Sequence, residues 1–247
     1  MIKKGDFVRI SYTAMLEDGT VIDTTDEKTA REFGIYNENI KYGDIIVVVG
    51  EGHVLKGLDE ALEGKKVGYK GKITVPPEKA FGKYDPDKKE IINISRLKEK
   101  PRVGQRIKVG DKVGVVERII GRKAIVDLNH PYAGKNITFE FEIKDLIKDE
   151  DKKVESLFLI HTGFETKCKI ENNKAVVEIP SNATFSQRFI FGKIAAVNSI
   201  FKYTSIKEVL LVEKYVKEDM EKVEERKEEA TKEAPKEEVK EVERIEK

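Results

Sequence analysis

Hydrophobic residues follow two different periods in this chain. Across residues 7–16 Val8, Ile10, Tyr12, Ala14 and Leu16 alternate with other residues, the two-residue period of a strand with one buried face. Asp18-Gly19 predicts a hairpin turn into a second strand at 20–25. Residues 26–44 are polar and irregular and read as a loop, and 45–49 is a continuous β-branched run expected as a buried strand. The period then changes. Val54, Leu55, Leu58, Ala61 and Leu62 recur at helical spacing within residues 50–64, with Gly50 and Gly52 before them and Gly64 as a stop. A helix this short is marginal alone, so its apolar face must rest on the strands expected at 45–49 and 69–75. Gly57 in that helix costs about 1 kcal/mol relative to Ala, which hints at a close backbone approach.

Pro76-Pro77 ends the strand at 69–75, because proline cannot donate to a ladder. Residues 78–85 read as a loop carrying Ala80-Phe81-Gly82. A helix candidate lies near 93–99, and strands are expected at 103–109, 113–119 and 123–126, split by glycine turns. Alternation returns at 137–147 through Ile137, Phe139, Phe141 and Ile143, as in the first sheet. The predicted organisation is an α+β domain, 1–86 and 128–149, interrupted by a small β-rich insert at 87–127. A charged linker, 148–153, leads to a second α+β domain at 154–216. Its strands are expected at 155–160, 166–170, 175–179 and 206–215. Its helix is expected at 186–201, with Phe189, Ile190, Ile194, Val197, Ile200 and Phe201 on the apolar face. Residues 217–247 are almost wholly Glu, Lys, Val and Ala, broken by Pro235 and without a sustained heptad, and read as a solvated or partly disordered tail.

Composition adds limits. The 247 residues fit two or three domains, and an apolar content of 39% is enough for real cores. Charged residues make up 38%, mostly Lys and Glu, with Gln only at 105 and 187, a profile that suits a thermophile. The single cysteine, Cys168, excludes an internal disulfide and points to a reducing cytoplasm. The N-terminus has no apolar stretch of the signal-peptide kind, and no run approaches the ~18 residues that span a membrane. His53, His130 and His161 are scattered, so neither a zinc site nor any cofactor is expected. The net charge of +1 conceals an asymmetry: residues 88–126 carry twelve Lys/Arg against four Asp/Glu, and residues 217–247 carry nine against thirteen. The basic insert can steer acidic clients, or RNA near a ribosome, in a salt-dependent way. It lacks interleaved aromatics for stacking on bases.

An ordered set of motifs then comes into view. Ser11-Tyr12-Thr13, Asp18-Gly19-Thr20-Val21-Ile22-Asp23, Val49-Gly50 with Val54-Leu55-Lys56-Gly57-Leu58, and Ala80-Phe81-Gly82 resemble, in that order, the FKBP-type peptidyl-prolyl isomerases. The insert after Ala80-Phe81-Gly82-Lys83-Tyr84-Asp85, and the return through Asn129-His130-Pro131-Tyr132-Ala133-Gly134-Lys135-Asn136-Ile137-Thr138-Phe139, resemble the SlyD-like subgroup, and the domain after residue 153 looks like its long archaeal branch. The resemblance covers about residues 1–149. It implies an antiparallel sheet wrapped on the short helix and a pocket that binds the twisted X-Pro amide. The prolyl ring would sit on Leu58, with Tyr12, Ile22, Ile45, Val47, Val54, Leu55, Phe81 and Phe139 around it. The Leu55 amide would hold the carbonyl before the proline. Asp23, hydrogen-bonded by the Tyr12 hydroxyl, would be the one charged group. Many relatives carry tyrosine at Phe81, and many outside the subgroup carry tryptophan at Leu58; this chain has no tryptophan.

In the subgroup the insert grips unfolded chains, which implies a chaperone that feeds proline-containing clients to the pocket. Ile91, Ile92, Ile94, Leu97, Ile119 and Ile120 are the residues to contact them, or else to form the insert's own core. The rival reading is a holdase with a degenerate pocket, kept open by Phe81. The C-terminal domain has enough apolar residues to form a homodimer or a second client surface.

Overall fold

The computed structural model describes residues 1–97 and 99–214. The chain divides into two compact units, Met1–Lys148 and Asp149–Lys247. The tail expected at 217–247 lies outside the described residues.

The first unit runs β1 (Phe7–Met15), β2 (Val21–Thr24), α1 (Glu27–Glu32), β3 (Ile45–Val48), α2 (Lys56–Leu62), β4 (Lys70–Val75), β5 (Lys89–Asn93), β6 (Arg106–Val109), β7 (Lys112–Ile120), β8 (Lys123–Asp127) and β9 (Ile137–Ile147). The main sheet is antiparallel, in the order β2-β1-β9-β4. β3 and β2 pair with successive halves of β1, at Phe7–Ile10 and Thr13–Met15. Every second residue of β9 from Ile137 to Ile143 is buried, as are Val8, Ile10 and Ala14 of β1. These side chains meet Leu58 and Leu62 of α2, which have no exposed surface.

Several expectations need correction. Residues 26–44 include the helix α1, which begins where the Asp26 side chain accepts the Thr29 amide at 2.8 Å and buries Ala30. Its apolar face is a single alanine, so no hydrophobic period marked it. α2 starts at Lys56, with Leu55 as its N-cap, so Val54 and Leu55 precede the helix. Gly57 lies in its first turn, where a Cβ would overlap the Val75 side chain of β4. The close approach that its helix position hinted at is therefore present. The helix near 93–99 is only a 3₁₀ turn, Ile94–Arg96, and it follows a strand, β5, that is not among those expected.

The insert is a separate sheet in the order β5-β8-β7-β6. Val116, Ala124 and Val126 form its buried centre, with Ile92, Ile94, Ile107, Val109, Ile119 and Leu128 packed on them. Its two connecting segments are tied side by side. Leu128 donates to the Lys88 carbonyl at 2.8 Å, Asn129 takes the Asp85 amide on its side-chain oxygen and gives its Nδ2 to the Asp85 carbonyl, and Gly134 donates to the Gly82 carbonyl.

The second unit runs α3 (Glu150–Thr162), β10 (Lys167–Glu171), β11 (Lys174–Ile179), α4 (Gln187–Tyr203) and β12 (Glu208–Glu213). β10 and β11 form a hairpin through Asn172 and Asn173, both at positive φ. β12 pairs parallel to β11, with α4 as the crossover. The strand at 155–160 is overturned, and so is most of the linker at 148–153: residues 150–153 and 155–160 belong to α3. Val154, Leu157 and Phe158, at helical spacing, are its buried face, and Gly163 at φ 77° stops it. The apolar run 157–160 alone did not separate strand from helix. In α4 the buried residues are Phe189, Ala196 and Ile200, whereas Ile190, Phe191, Ile194 and Phe201 are exposed. The face expected for that helix is thus only partly turned inward.

Gly57→Ala is expected to destabilise the chain by about 1–3 kcal/mol through overpacking, although propensity alone favours Ala by about 1 kcal/mol. Urea unfolding of Gly57→Ala, Val75→Ala and the double variant checks it. The double variant should lose less than the sum of the two.

Candidate functional site

At one end of the main core, side chains from β1, β2, β3, β9, the segment before α2 and the segment after β4 come together. The two-residue period of β1 places Tyr12 on the same face as Ile10 and Ala14. The hairpin register, Ala14 opposite Asp23, sets Asp23 next to it on β2. The Tyr12 hydroxyl donates to Asp23 Oδ2 at 2.6 Å. Phe139, opposite Ala14 on β9, meets the Tyr12 ring edge-on at 5.8 Å. Ile22, Ile45, Val54, Leu55 and Phe81 are partly buried against the same cluster. Burial, and the Asp23 carboxylate it serves, push the Tyr12 phenol well above its ordinary range.

Three expected contact residues are almost fully covered: Leu58 is 0% exposed, Val47 1% and Phe139 3%. Their neighbours Val54, Leu55 and Ile45 keep exposed area. The Leu55 amide donates to no described residue, while its carbonyl accepts the amides of Leu58 and Asp59.

The sequence reading missed one wall. His130 stacks flat on Phe81 with ring centres 4.3 Å apart, and Tyr132 lies 5.4 Å from the same ring. Both belong to the segment returning from the insert. Their residues were noted as a motif, but only the tie between Gly134 and Gly82 carries that segment onto Phe81.

The insert residues divide by strand alternation. Ile92, Ile94 and Ile119 pack in its own core, whereas Ile91 and Ile120 are 68% and 57% exposed, and Leu97 is half-buried. On the outer face the register sets Ile91, Ile125 and Arg118 in one row, Ile120 beside Lys123, and Val113 beside Lys108. Aliphatic side chains therefore alternate with cations on a surface that the insert does not use for itself.

Chemically, the end of the core around Tyr12 and Phe139 is an aromatic and aliphatic cluster with one carboxylate held beside it by the Tyr12 hydroxyl. It can desolvate an apolar ring and present one fixed charge. Among the described residues, no group of three or more His, Cys, Asp or Glu is placed to hold a metal ion, and no helix is long and apolar enough to cross a membrane.

Because the folded pKa of Tyr12 is raised, its bond to Asp23 contributes fully below the unfolded value near 10.0 and is lost only as pH climbs through the higher folded value. Tyr12→Phe should therefore cost about 1 kcal/mol, by the same amount at neutral and mildly alkaline pH. In an ultraviolet titration of the eight tyrosines, the step missing from Tyr12→Phe should be the most alkaline. An early step would contradict the geometry.

Comparison with known proteins agrees with this arrangement. The family model for FKBP-type peptidyl-prolyl cis-trans isomerases matches residues 1–196. A short-type peptidyl-prolyl cis-trans isomerase of Methanocaldococcus jannaschii is 32% identical over 149 residues, which are 59% of this chain and 94% of that protein. A probable FKBP-type 16 kDa isomerase of Pseudomonas fluorescens is 31% identical over 145 residues, 56% and 87% of the two chains. The isomerase SlyD of Haemophilus influenzae is 29% identical over 148 residues, 58% and 70%. By its motifs, its sheet wrapped on a short helix and these matches, the chain belongs to the FKBP-type peptidyl-prolyl cis-trans isomerases, in the neighbourhood of SlyD.

Proposed function

We propose that this chain is a cytoplasmic folding helper that isomerises X-Pro bonds at the cluster around Tyr12 and Phe139, and captures unfolded clients on the outer face of its insert. The observation that carries the first part is the Tyr12–Asp23 hydrogen bond beside an aromatic and aliphatic cluster. Rotation about an X-Pro bond faces a barrier of about 20 kcal/mol. The twisted amide has lost resonance and separates charge less than the planar one, so an apolar site binds it better than the ground state. No nucleophile is required, and each 1.4 kcal/mol of that preference gives about tenfold. In this reading Ile22, Ile45, Val54, Leu55 and Phe81 surround the prolyl ring, Leu58 and Val47 back them, and the Leu55 amide takes the preceding carbonyl. Asp23 is the fixed charge beside the twisted bond. Phe81 offers no hydroxyl, but the stack with His130 keeps it in the wall.

In the same reading, residues 1–86 and 128–149 form the isomerase domain, 87–127 the client-binding insert and 154–216 a separate domain. Exposed Ile91 and Ile120 among Lys and Arg support capture of unfolded segments, with the cations drawing in acidic ones. A single cysteine, Cys168, leaves no internal disulfide to form, which supports a reducing compartment. The exposed row Ile190, Phe191, Ile194 and Phe201 on α4 supports self-association through the second unit.

Catalysis of a proline-limited refolding reaction tests the central claim. The intact chain should accelerate the slow phase. Asp23→Ala with Phe139→Ala should slow it about tenfold or more. Replacing residues 87–127 with a short turn should reduce it while sparing a short proline peptide. Suppressed aggregation with an untouched slow phase would replace the isomerase by a holdase. Ile91→Ser with Ile120→Ser should weaken aggregation suppression without lowering the melting temperature, since both side chains are already exposed. A gel-filtration mass of a monomer at micromolar concentration would remove the self-association.

A further inference from the structure

The helix α2 carries a carboxylate at an unusual place. Asp59 is 6% exposed, yet the apolar side of its helix faces the core. Its Oδ1 accepts the Gly50 amide at 2.8 Å and its Oδ2 the Gly52 amide at 3.0 Å. Its own amide donates to the Leu55 carbonyl at 3.0 Å. One residue therefore grips both ends of the segment 50–55. The carboxylate holds the start of that segment and the backbone bond is the first of the helix; Val54 and Leu55, with the Leu55 amide that lacks a described partner, follow the carboxylate's contacts directly. His53 fixes the middle, its Nδ1 accepting the Val48 amide at 3.1 Å.

Burying a carboxylate is costly unless its oxygens are bonded. Here both oxygens receive backbone amides, so the group and the turn satisfy one another. Removing the carboxylate would leave the Gly50 and Gly52 amides without acceptors in a part-buried site, and the turn would be free to find other bonds. A donor displaced by about 1 Å can cost as much as a hundredfold in rate.

We infer that Asp59 is a positioning residue for the isomerisation: its carboxylate sets the 50–55 turn so that the Leu55 amide meets the carbonyl that precedes proline. The inference rests on the reading of Leu55 as the carbonyl donor. It differs from that reading in making the donor's geometry depend on a side chain that never touches substrate.

The test uses the full chain with Asp59→Ala and Asp59→Asn, a short proline peptide as substrate, and amide NMR. In the natural chain the peptide should shift the Leu55 amide resonance. In Asp59→Ala the Gly50 and Gly52 amides should move upfield, the Leu55 response should shrink, and kcat/KM should fall about tenfold or more. Aggregation suppression by the insert should stay the same, which a general loss of folding would not allow. Asp59→Asn keeps the side-chain volume and one acceptor, so it should recover part of the rate; it also carries the test if Asp59→Ala does not fold. A Leu55 resonance unmoved by peptide in the natural chain would overturn the donor reading and this inference with it. A natural Leu55 response with kcat/KM within twofold in both variants would overturn the inference alone.

Discussion

Seven residues of helix cannot hold themselves together in water, and α2 exists because the sheet takes its apolar side. The contact is tight enough that the backbone at Gly57 meets the Val75 side chain with no room for a methyl group. Leu58 and Leu62 lose all their exposed surface in that contact. With each fully buried leucine stabilising by roughly 1.5–3 kcal/mol, the helix, the sheet and the turn before it are parts of one packing solution. The candidate site is the end of that packing where partly buried side chains of several segments meet.

That origin explains the character of the site. Its surface is the core itself continued outward, so it is apolar without special arrangement. Asp23 is its carboxylate, held by the Tyr12 hydroxyl at 2.6 Å. A reaction that needs a less polar surrounding and one steady charge, with no bond made to the protein, is suited to such a place. The insert adds a different surface, in which exposed aliphatic residues stand among cations.

Much of the first unit was legible because its residues repeat with clear periods. The strand expected at 137–147 has the bounds of β9, with its alternation kept from Ile137 to Ile143, and Asp18-Gly19 marked the first hairpin. Failures came where the period was short or shared. α1 buries only Ala30, so its signal was the Asp26 cap and not an apolar stripe. The run 157–160 fits a strand or a helix equally, and the deciding facts were Val154 behind it and Gly163 ahead. For the candidate site, the order of motifs named residues that pack in one cluster, but depth was invisible: nothing in the sequence separates Leu58, fully covered, from Leu55, partly open. His130 and Tyr132 were missed because their place depends on how the insert closes, a contact between residues about fifty positions apart in the chain.

The closure of the insert has a wider consequence. Its two connections are joined by the Lys88–Leu128 and Gly82–Gly134 bonds and by Asn129 on Asp85. To the main sheet, everything between those ties is equivalent to a short surface loop. Loop-closure entropy grows only slowly with the length enclosed, so the cost to the host fold is nearly the same for a tight turn as for a whole domain. The junction thus behaves as a socket. Pieces of different size and charge can fit it while the main sheet keeps its architecture.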